Sequence, residues 1–492
     1  MKVLVVALAA VAAQAAVIRG TVVENLTGKP LARAVVILQP IGGTPGEQRS
    51  MRASSLGGFE FDSLAAGSYV LKASRKGFLP VEYGQKRWNS AGMPVVVREA
   101  ETAFLNLRLP RFSAITGTVV DENNIGLPEH EVAAYRLRTP PELVRTVKAN
   151  ERGEYRVYGL EPGSYVVRTI GKQYDEGAYL PTYGREAGEM RDAVRVDLLP
   201  EQQVEHVDVR PAPGRLLSVL VDTGESFPPG AEITITMASS LGRKSVKGKG
   251  YLFTGLPPGE YDFYAEAAVG DSVASAYQRI NLTMPRKEPM PLTLLASPAG
   301  GLSVYGVPDT DSSKLWIRRK DLAGVGASKQ WPLTRNRASI PAGRWEVFLE
   351  PPAGAYASSF YGGAISRPYR MRVDGWNEGV AMEHRPMTFQ LASGAGSIRG
   401  LVKSAGEIAS GAPVYLDGWD AEGKQRVGEL RSVRTDAHGQ FRFDGLAPGS
   451  YRVLATFEYL SPDVDTMSEM AQEIIVAAHA EKALDVELYV IR

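Results

Sequence analysis

The stretch GQFRFDGLAPGSYRV at residues 439–453 decides the fold of this chain, because the same wording recurs along the sequence. It reads GEYRVYGLEPGSYVV at residues 153–167 and GFEFDSLAAGSYV at residues 58–70. Looser copies occupy residues 250–263 and 338–348. A repeat of this kind indicates that one structural unit is built several times over.

Each part of the repeated phrase predicts a local structure. Gly-x-Phe-x-Phe places two aromatic side chains, such as Phe441 and Phe443, on one face of a strand. The Pro-Gly pair predicts a turn, because proline fixes φ at about −65° and glycine accepts a positive φ. The tyrosine after the turn, Tyr451 in the last copy, begins the returning strand. The phrase is therefore predicted to form a β-hairpin, and its residues are explained by the core and the turn.

The opening strand of each unit carries a second pattern. Residues 18–23 read IRGTVV, residues 115–120 read ITGTVV and residues 398–402 read IRGLV. The apolar residues around Gly20 fall out of strict alternation, which predicts a β-bulge at that glycine.

The bulk composition narrows the class of protein. The chain has 492 residues, 51 glycines and 32 prolines, and short alternating segments outnumber helical patterns, which favours several all-β domains. Lys and Arg number 56 against 55 Asp and Glu, so the balanced charge gives no indication of nucleic-acid binding. Cysteine is absent, which excludes disulfides, thiolate metal ligands and a cysteine nucleophile.

The N-terminal residues have the pattern of an export signal. Lys2 supplies a positive charge, residues 3–13 form an apolar segment too short for a stable membrane anchor, and Ala13-Gln14-Ala15 is a small-x-small cleavage pattern. We expect cleavage after Ala15 or Ala16 and no membrane span in the mature chain. The predicted location is outside the cytoplasm, either periplasmic or extracellular.

The repeats divide the rest of the chain into units large enough to have cores of their own. We predict an elongated tandem array of about five β-sandwiches with Greek-key, immunoglobulin-like or prealbumin-like topology. The third and fourth units diverge from the others, and the fourth is the most divergent and is rich in tryptophan. The predicted segments are a signal peptide at 1–16 and sandwiches at 17–110, 111–212, 213–297, 298–395 and 396–492.

The opening strand pattern and the TDAHGQFRFDGLAPGSY stretch at residues 435–451 resemble the carboxypeptidase regulatory-like domain. The resemblance implies a transthyretin-like (prealbumin-like) sandwich within the carbohydrate-binding-like fold group. It is also similar to the B-repeats of collagen-binding adhesins. These motifs specify a fold strongly and a function weakly.

No catalytic constellation is visible in the sequence. No zinc-ligand spacing, nucleophile elbow or phosphate loop appears, so we expect no enzyme, no metal and no cofactor. Two acidic turns, Asp309 with Asp311 and Asp463 with Asp465, lack the glycine and distal glutamate of a calcium loop and are expected to be solvated turns. The histidines are scattered among the units: His130, His206, His384, His438 and His479.

Tryptophans in or near loops are the better candidates for binding, since an exposed flat ring can stack against the apolar face of a sugar. The alternative is that such rings only cap the ends of a sandwich. Trp345 aligns with the repeated tyrosine and is expected in the core. The candidate ligand-binding residues are Trp376, Trp419, Trp88 and Trp331.

The sequence therefore predicts an exported, non-catalytic multidomain binding protein whose partner is a polysaccharide or another component of the cell envelope. The alternative is a structural or adhesive spacer that binds a protein partner, for which exposed edge strands would serve.

Overall fold

The computed structural model describes residues 15–42, 47–138, 141–240, 242–269, 272–283, 288–297, 299–305, 314–320, 330–333, 337–362, 376–381, 387–421 and 424–491. The predicted export signal lies outside these residues apart from its last two. The first strand begins at Ala16, directly after one of the two expected cleavage positions. Among the described residues, no helix is long and apolar enough to cross a membrane.

The first pair of sheets, here called the first sandwich, lies between Ala16 and Leu109. One sheet has the order β4-β1-β8, and the other has the order β3-β2-β5, with β6 and β7 both paired to β5. Strand β1 is antiparallel to β4 and parallel to β8. The strands are β1 (Ala16–Glu24), β2 (Val35–Pro40), β3 (Arg49–Arg52), β4 (Gly58–Leu64), β5 (Gly67–Ser74), β6 (Val81–Glu82), β7 (Val95–Val97) and β8 (Thr102–Leu109).

The second sandwich repeats this plan. The strands are β9 (Ser113–Thr118), β10 (Glu131–Arg136), β11 (Glu142–Lys148), β12 (Glu154–Leu160), β13 (Gly163–Thr169), β14 (Lys172–Tyr174), β15 (Gly177–Tyr179), β16 (Val196–Leu198), β17 (Gln203–Val204) and β18 (Pro213–Gly214). Its sheets have the orders β12-β9-β17 and β11-β10-β13-β16, and a small sheet β14-β15-β18 lies beside them.

The third sandwich has sheets of order β22-β19-β25 and β21-β20-β23-β24. Its divergent opening strand, β19, still pairs antiparallel with β22 and parallel with β25. The strands are β19 (Leu217–Asp222), β20 (Thr234–Ser239), β21 (Gly242–Lys247), β22 (Gly250–Leu256), β23 (Gly259–Val269), β24 (Ser272–Leu282) and β25 (Met290–Thr293).

The fourth sandwich keeps two sheets despite its divergent sequence, with the orders β29-β26-β33-β31 and β28-β27-β30-β32. The strands are β26 (Ala299–Tyr305), β27 (Lys314–Arg319), β28 (Trp331–Leu333), β29 (Arg337–Pro341), β30 (Gly343–Glu350), β31 (Ala355–Gly362), β32 (Asn377–Ala381) and β33 (Met387–Ser393).

The fifth sandwich has one sheet of order β35-β34-β38, in which β34 also pairs with β41 and β42, and a second sheet of order β37-β36-β39-β40. A short helix, α1 (Val464–Met470), precedes β40. The strands are β34 (Gly396–Ser404), β35 (Glu407–Ile408), β36 (Pro413–Asp420), β37 (Gln425–Arg434), β38 (Gln440–Leu446), β39 (Gly449–Ala455), β40 (Gln472–Val476), β41 (Glu481–Ala483) and β42 (Val486–Glu487).

The repeated phrase forms the predicted hairpin and core. Phe441 and Phe443 are buried in the fifth sandwich with ring centroids 6.1 Å apart, and Phe59 and Phe61 have the same arrangement in the first. Within the described residues, each of the five sandwiches surrounds its own cluster of buried hydrophobic side chains. One exception is Val273 of β24, which packs into the cluster of the fourth sandwich, and the division at 17–110, 111–212, 213–297, 298–395 and 396–492 stays a prediction. Whether each segment folds alone stays a prediction.

The bulge predicted at Gly20 is in a different place. The register between β1 and β4 shifts between Ala16 and Ile18, whereas Gly20 pairs regularly with Phe59. A Cβ added at Gly20 would lie 1.6 Å from the carbonyl oxygen of Leu105 on β8. Glycine is therefore required there because the backbone of the parallel strand passes directly over it.

The first and fifth sandwiches contact each other, in place of the open elongated array that the sequence predicts. The backbone N–H of Ala91 donates to the carbonyl oxygen of Phe457 at 2.9 Å, and that of Leu460 donates to Asn89 at 2.6 Å. Neighbouring sandwiches also contact each other, for example through Arg111 and Glu24. The chain therefore forms a closed ring of sandwiches.

Candidate functional site

Four tryptophans among the described residues have an arginine guanidinium over the ring. The distances from the guanidinium carbon to the ring centroid are 3.7 Å for Arg452 and Trp419, 4.1 Å for Arg318 and Trp376, 4.3 Å for Arg319 and Trp345, and 6.0 Å for Arg136 and Trp88. Such stacking is attractive by about 0.5–2 kcal/mol. One face of the rings of Trp419, Trp376 and Trp345 is therefore in contact with an arginine, whereas Arg136 lies further from Trp88.

Trp376 lies in a different environment from the predicted exposed turn. Trp376 directly precedes β32 and is 7% exposed. Its ring centroid lies 5.7 Å from that of Phe348. Phe348 in turn packs against Trp316 on β27 at 5.5 Å. The three rings form a row across adjacent strands, because Trp316 pairs with Phe348 in the sheet. Trp376 is therefore part of a packed aromatic row.

Trp419 lies in β36 and is half-buried beside a network of buried charges. The carboxylate of Asp417 is fully buried and accepts hydrogen bonds from Arg452 at 2.6 and 3.0 Å and from Arg426 at 2.9 Å. Arg452 also donates to Ser468 in α1 at 2.6 Å. The network fixes the short helix on the sheet, and Trp419 packs against its central guanidinium.

One of the two acidic turns considered for calcium lies within the described residues. Asp463 is the N-cap of α1 and accepts the backbone N–H of Thr466 at 2.8 Å, which satisfies a free donor of the helix end. Asp309 and Asp311 lie outside the described residues. Among the residues that are described, no group of three or more His, Asp or Glu side chains could hold a metal ion.

Trp88 lies in the loop between β6 and β7, and its ring is half-buried. Gln85 holds the loop by donating to the carbonyl oxygen of Trp88 at 2.6 Å. Because Arg136 belongs to the second sandwich, Trp88 is positioned where the first two sandwiches adjoin. Trp331 begins β28, and its side chain lies outside what the structure describes.

The same loop makes the contact with the fifth sandwich, here called the first–fifth contact. On the first sandwich it consists of Glu82 and residues 86–94, and on the fifth of Arg434 and residues 457–460. Glu458 is 5% exposed and binds Arg87 at 2.5 Å and Lys86 at 3.5 Å. Arg434 binds Glu82 at 2.8 Å and donates to the carbonyl oxygen of Gly92 at 3.2 Å.

The carboxylates of the first–fifth contact are suited to ion pairing. Burial alone would raise the pKa of Glu82, but the Lys72 ammonium, the Arg434 guanidinium and the N–H of Gly92 together hold that pKa below its usual value. A carboxylate held in its ionised form by cations is a poor general acid at neutral pH. The arrangement can fix two sandwiches together.

A cleft of about 380 Å³ lies between the second and third sandwiches. Its walls include Leu180 and Thr182 from the second sandwich and Ser239, Pro257 and Tyr261 from the third. Uncharged side chains dominate these walls, and the cleft contains none of the predicted tryptophans.

Sequence reasoning found the tryptophans but missed the first–fifth contact. Arg87 and Glu458 are separated by 371 positions, and neither belongs to the repeated phrase. The available signal was weaker: the loop after β6 is one of the segments in which the copies of the repeat differ.

Comparison of sequences identifies part of the chain. Residues 17–110 match the family model of the carboxypeptidase regulatory-like domain. No curated protein sequence matches the chain.

Several solved structures of bacterial proteins, pilins among them, align with parts of the chain. The TIE protein of Bacillus anthracis is 17% identical over 58% of this chain and 51% of that chain, with a TM-score of 0.19. The minor pilin of Streptococcus agalactiae is 14% identical over 41% and 97%, with a TM-score of 0.25. The major pilin subunit of Bacillus cereus is 9% identical over 77% and 99%, with a TM-score of 0.15. The chain thus spans about half the length of the TIE protein, and likeness at this level carries no information about function.

The family match covers the segment that contains β1 to β8, whose two sheets and buried phenylalanines are described above. The first sandwich, residues 17–110, is therefore similar to the carboxypeptidase regulatory-like domain.

Proposed function

We propose that this chain is an exported, non-catalytic protein of structural or adhesive type, and that it binds a protein partner at a sheet edge of its second sandwich. The N-terminal export pattern supports the location. The pairing of the buried carboxylates Glu82, Glu458 and Asp417 with arginines supports a role without catalysis.

The observation that carries the proposal is the composition of β11. This strand is the edge of its sheet, and Leu143 and Val144 are exposed there, at 48% and 36%. The equivalent edge strands bear Arg49 and Arg52 in β3 and Lys244 and Lys247 in β21, as β11 bears Arg145 and Lys148, but neither β3 nor β21 exposes a large apolar side chain.

Charged side chains protect an edge strand from pairing with another chain, and two adjacent exposed apolar side chains weaken this protection. A partner that adds a strand to β11 would gain main-chain hydrogen bonds from the edge and apolar contacts from the two exposed side chains. The difference also lies where the copies of the repeat diverge, as expected for a feature that the common fold does not require.

The test is site-specific photo-cross-linking in the producing cell. A photoreactive residue at Val144 should yield one defined protein adduct, and Leu143→Lys in the same chain should abolish it by placing a charge on the edge. The matched control places the photoreactive residue at the exposed Ser50 of β3. Identical products from both positions, or no adduct at Val144, would refute the edge-strand proposal.

The second candidate is binding of a polysaccharide or another envelope component. The half-buried rings of Trp88 and Trp419 support it, because each could offer a sugar the face that its arginine leaves open. The other two candidate ligand-binding residues are Trp376 and Trp331. An arrayed-glycan screen should detect a ligand whose binding falls on Trp419→Ala or Trp88→Ala. A ligand whose affinity is unchanged in both variants would exclude these rings.

A further inference from the structure

The first–fifth contact joins two different surfaces of the molecule. The first sandwich contributes a loop, and the fifth contributes the end of β37 and the residues that follow β39. A contact between unlike surfaces is heterologous, so the same pair of surfaces can close a ring within one chain or join separate chains.

The charges make the contact selective. The loop presents Lys86 and Arg87 to the buried Glu458, and Glu82 of the first sandwich faces Arg434 of the fifth. Each surface therefore offers both signs, and a shifted alignment would bring like charges together. Complementary charges of this kind fix register and partner choice.

The connection between the fourth and fifth sandwiches is short and contains glycine. Strand β33 ends at Ser393 and β34 begins at Gly396, and Gly394 has a φ of 88°. The backbone N–H groups of Gly394 and Ala395 both donate to the carbonyl oxygen of Gly354, at 3.0 and 3.2 Å. Rotation at this linker would move the fifth sandwich without breaking a strand pair.

We propose that a second copy of this chain is a partner for these surfaces. Two copies exchange their fifth sandwiches, and each fifth sandwich binds the first sandwich of the other copy through the Arg87–Glu458 and Arg434–Glu82 ion pairs. The exchanged dimer repeats a contact that the single chain already makes, so no new surface is needed. The intramolecular contact has an effective concentration on the order of millimolar, so exchange dominates only when the complementary charges are on different chains.

Charge reversal tests the proposal. One variant carries Lys86→Glu and Arg87→Glu in the loop, and the other carries Glu458→Lys in the fifth sandwich. In each variant alone, like charges oppose closure, and we expect a monomer by size-exclusion chromatography with light scattering. In an equimolar mixture, both intermolecular pairings are complementary, so the mass should double. A mixture that stays at the mass of one chain would overturn the proposal.

Two controls separate exchange from unfolding or general attraction between charges. A chain that carries all three substitutions regains a complementary contact within itself and should remain a monomer. Lys247→Glu, at an exposed ion pair with Glu232 in the third sandwich, should not dimerise with the Glu458→Lys variant.

A second measurement is independent of charge. The sequence has no cysteine. When a chain with Asn89→Cys is mixed with a chain with Leu460→Cys, each disulfide joins two chains, which are either one of each kind or two identical ones. A heterodimeric disulfide that exceeds the two homodimeric products taken together supports exchange. A statistical mixture of the three products contradicts it.

Discussion

At the scale of single residues, the aromatic side chain that follows each turn of the repeat closes that turn. The hydroxyl groups of Tyr69, Tyr165, Tyr261 and Tyr451 each donate to the carbonyl oxygen four residues earlier, at 2.6–2.8 Å. In the fourth sandwich Trp345 replaces tyrosine, and its indole N–H donates to Pro341 at 2.8 Å. The repeated residue thus combines a buried ring with a hydrogen bond to the turn.

Removing one of these hydroxyl groups should loosen its hairpin. We expect Tyr451→Phe to lower the free energy of opening of β38 and β39 by about 1 kcal/mol, the usual net value of such a hydrogen bond. Hydrogen exchange of the amides in these strands measures it. Tyr158→Phe, at an exposed ring, is the matched control. An equal effect of both substitutions would contradict the role of the hydroxyl group.

His130 should make the second sandwich sensitive to acid. The residue is fully buried, its Nδ1 lies 3.0 Å from the hydroxyl oxygen of Tyr174, and its Nε2 has no hydrogen-bond partner among the described residues. Burial, aided by the Lys172 ammonium, lowers the pKa of His130 from 6.5 to about 4. The unfolded chain therefore binds the proton more readily than the folded chain does between these pH values.

The resulting stability is fully present above pH 6.5 and should be lost progressively as the pH falls to about 4, by up to about 3 kcal/mol. Hydrogen exchange in β10 and β13 as a function of pH, corrected for the intrinsic rates, measures this loss. His130→Leu should flatten the profile in that window, whereas His438→Asn, at an exposed turn, should leave it unchanged. A profile that persists in His130→Leu would assign the effect to other groups.

The tryptophans mark the limit of sequence reasoning at this scale. The position of Trp345 follows from its alignment with the repeated tyrosine, and it is buried as expected. The burial of Trp376 could not be predicted, because its partners Arg318 and Phe348 come from two other strands. A turn in the sequence indicates exposure only when no neighbouring strand supplies a partner.

At the scale of elements, the parallel pairing of the first strand with the last explains its glycine. An added Cβ would lie 1.6 Å from Leu105 at Gly20, 2.2 Å from Val207 at Gly117 and 1.8 Å from Leu484 at Gly400, in each case from a carbonyl oxygen. The hairpins were predictable from local pattern and turn chemistry. The close contact between this glycine and the parallel strand was not predictable, because that strand lies about 85 residues further along the chain.

We expect Gly20→Ala to destabilise the first sandwich by about 3 kcal/mol or more, since either β1 or β8 must move. Gly188→Ala is the matched control, because an added Cβ there has no atom within 4 Å and its backbone needs no positive φ. Thermal unfolding followed by calorimetry should show an earlier transition for the first variant only. If both variants unfolded at the same temperature, β1 and β8 would be able to move apart at little cost in free energy.

At the scale of the whole molecule, the structure differs most from what the sequence predicts. Short linkers and independent cores predict a string of sandwiches, and the all-β fold of paired sheets is as expected. The ring is closed by ion pairs and backbone hydrogen bonds between the loop after β6 and residues 457–460, which share no motif. A repeat describes what its copies have in common, and so it carries no record of contacts between their variable loops.

The closed ring is the central claim, and an engineered disulfide tests it most directly. A backbone hydrogen bond of 2.6 Å joins Leu460 to Asn89, so the two positions are neighbours across the contact, as a disulfide between them requires. The chain with Asn89→Cys and Leu460→Cys, oxidised at low concentration, should form an intramolecular disulfide in nearly every molecule, as seen by mass and by gel mobility. The control pair, Asn89→Cys with Leu252→Cys in the third sandwich, should not. Failure of the first pair to exceed the control would contradict the closed ring.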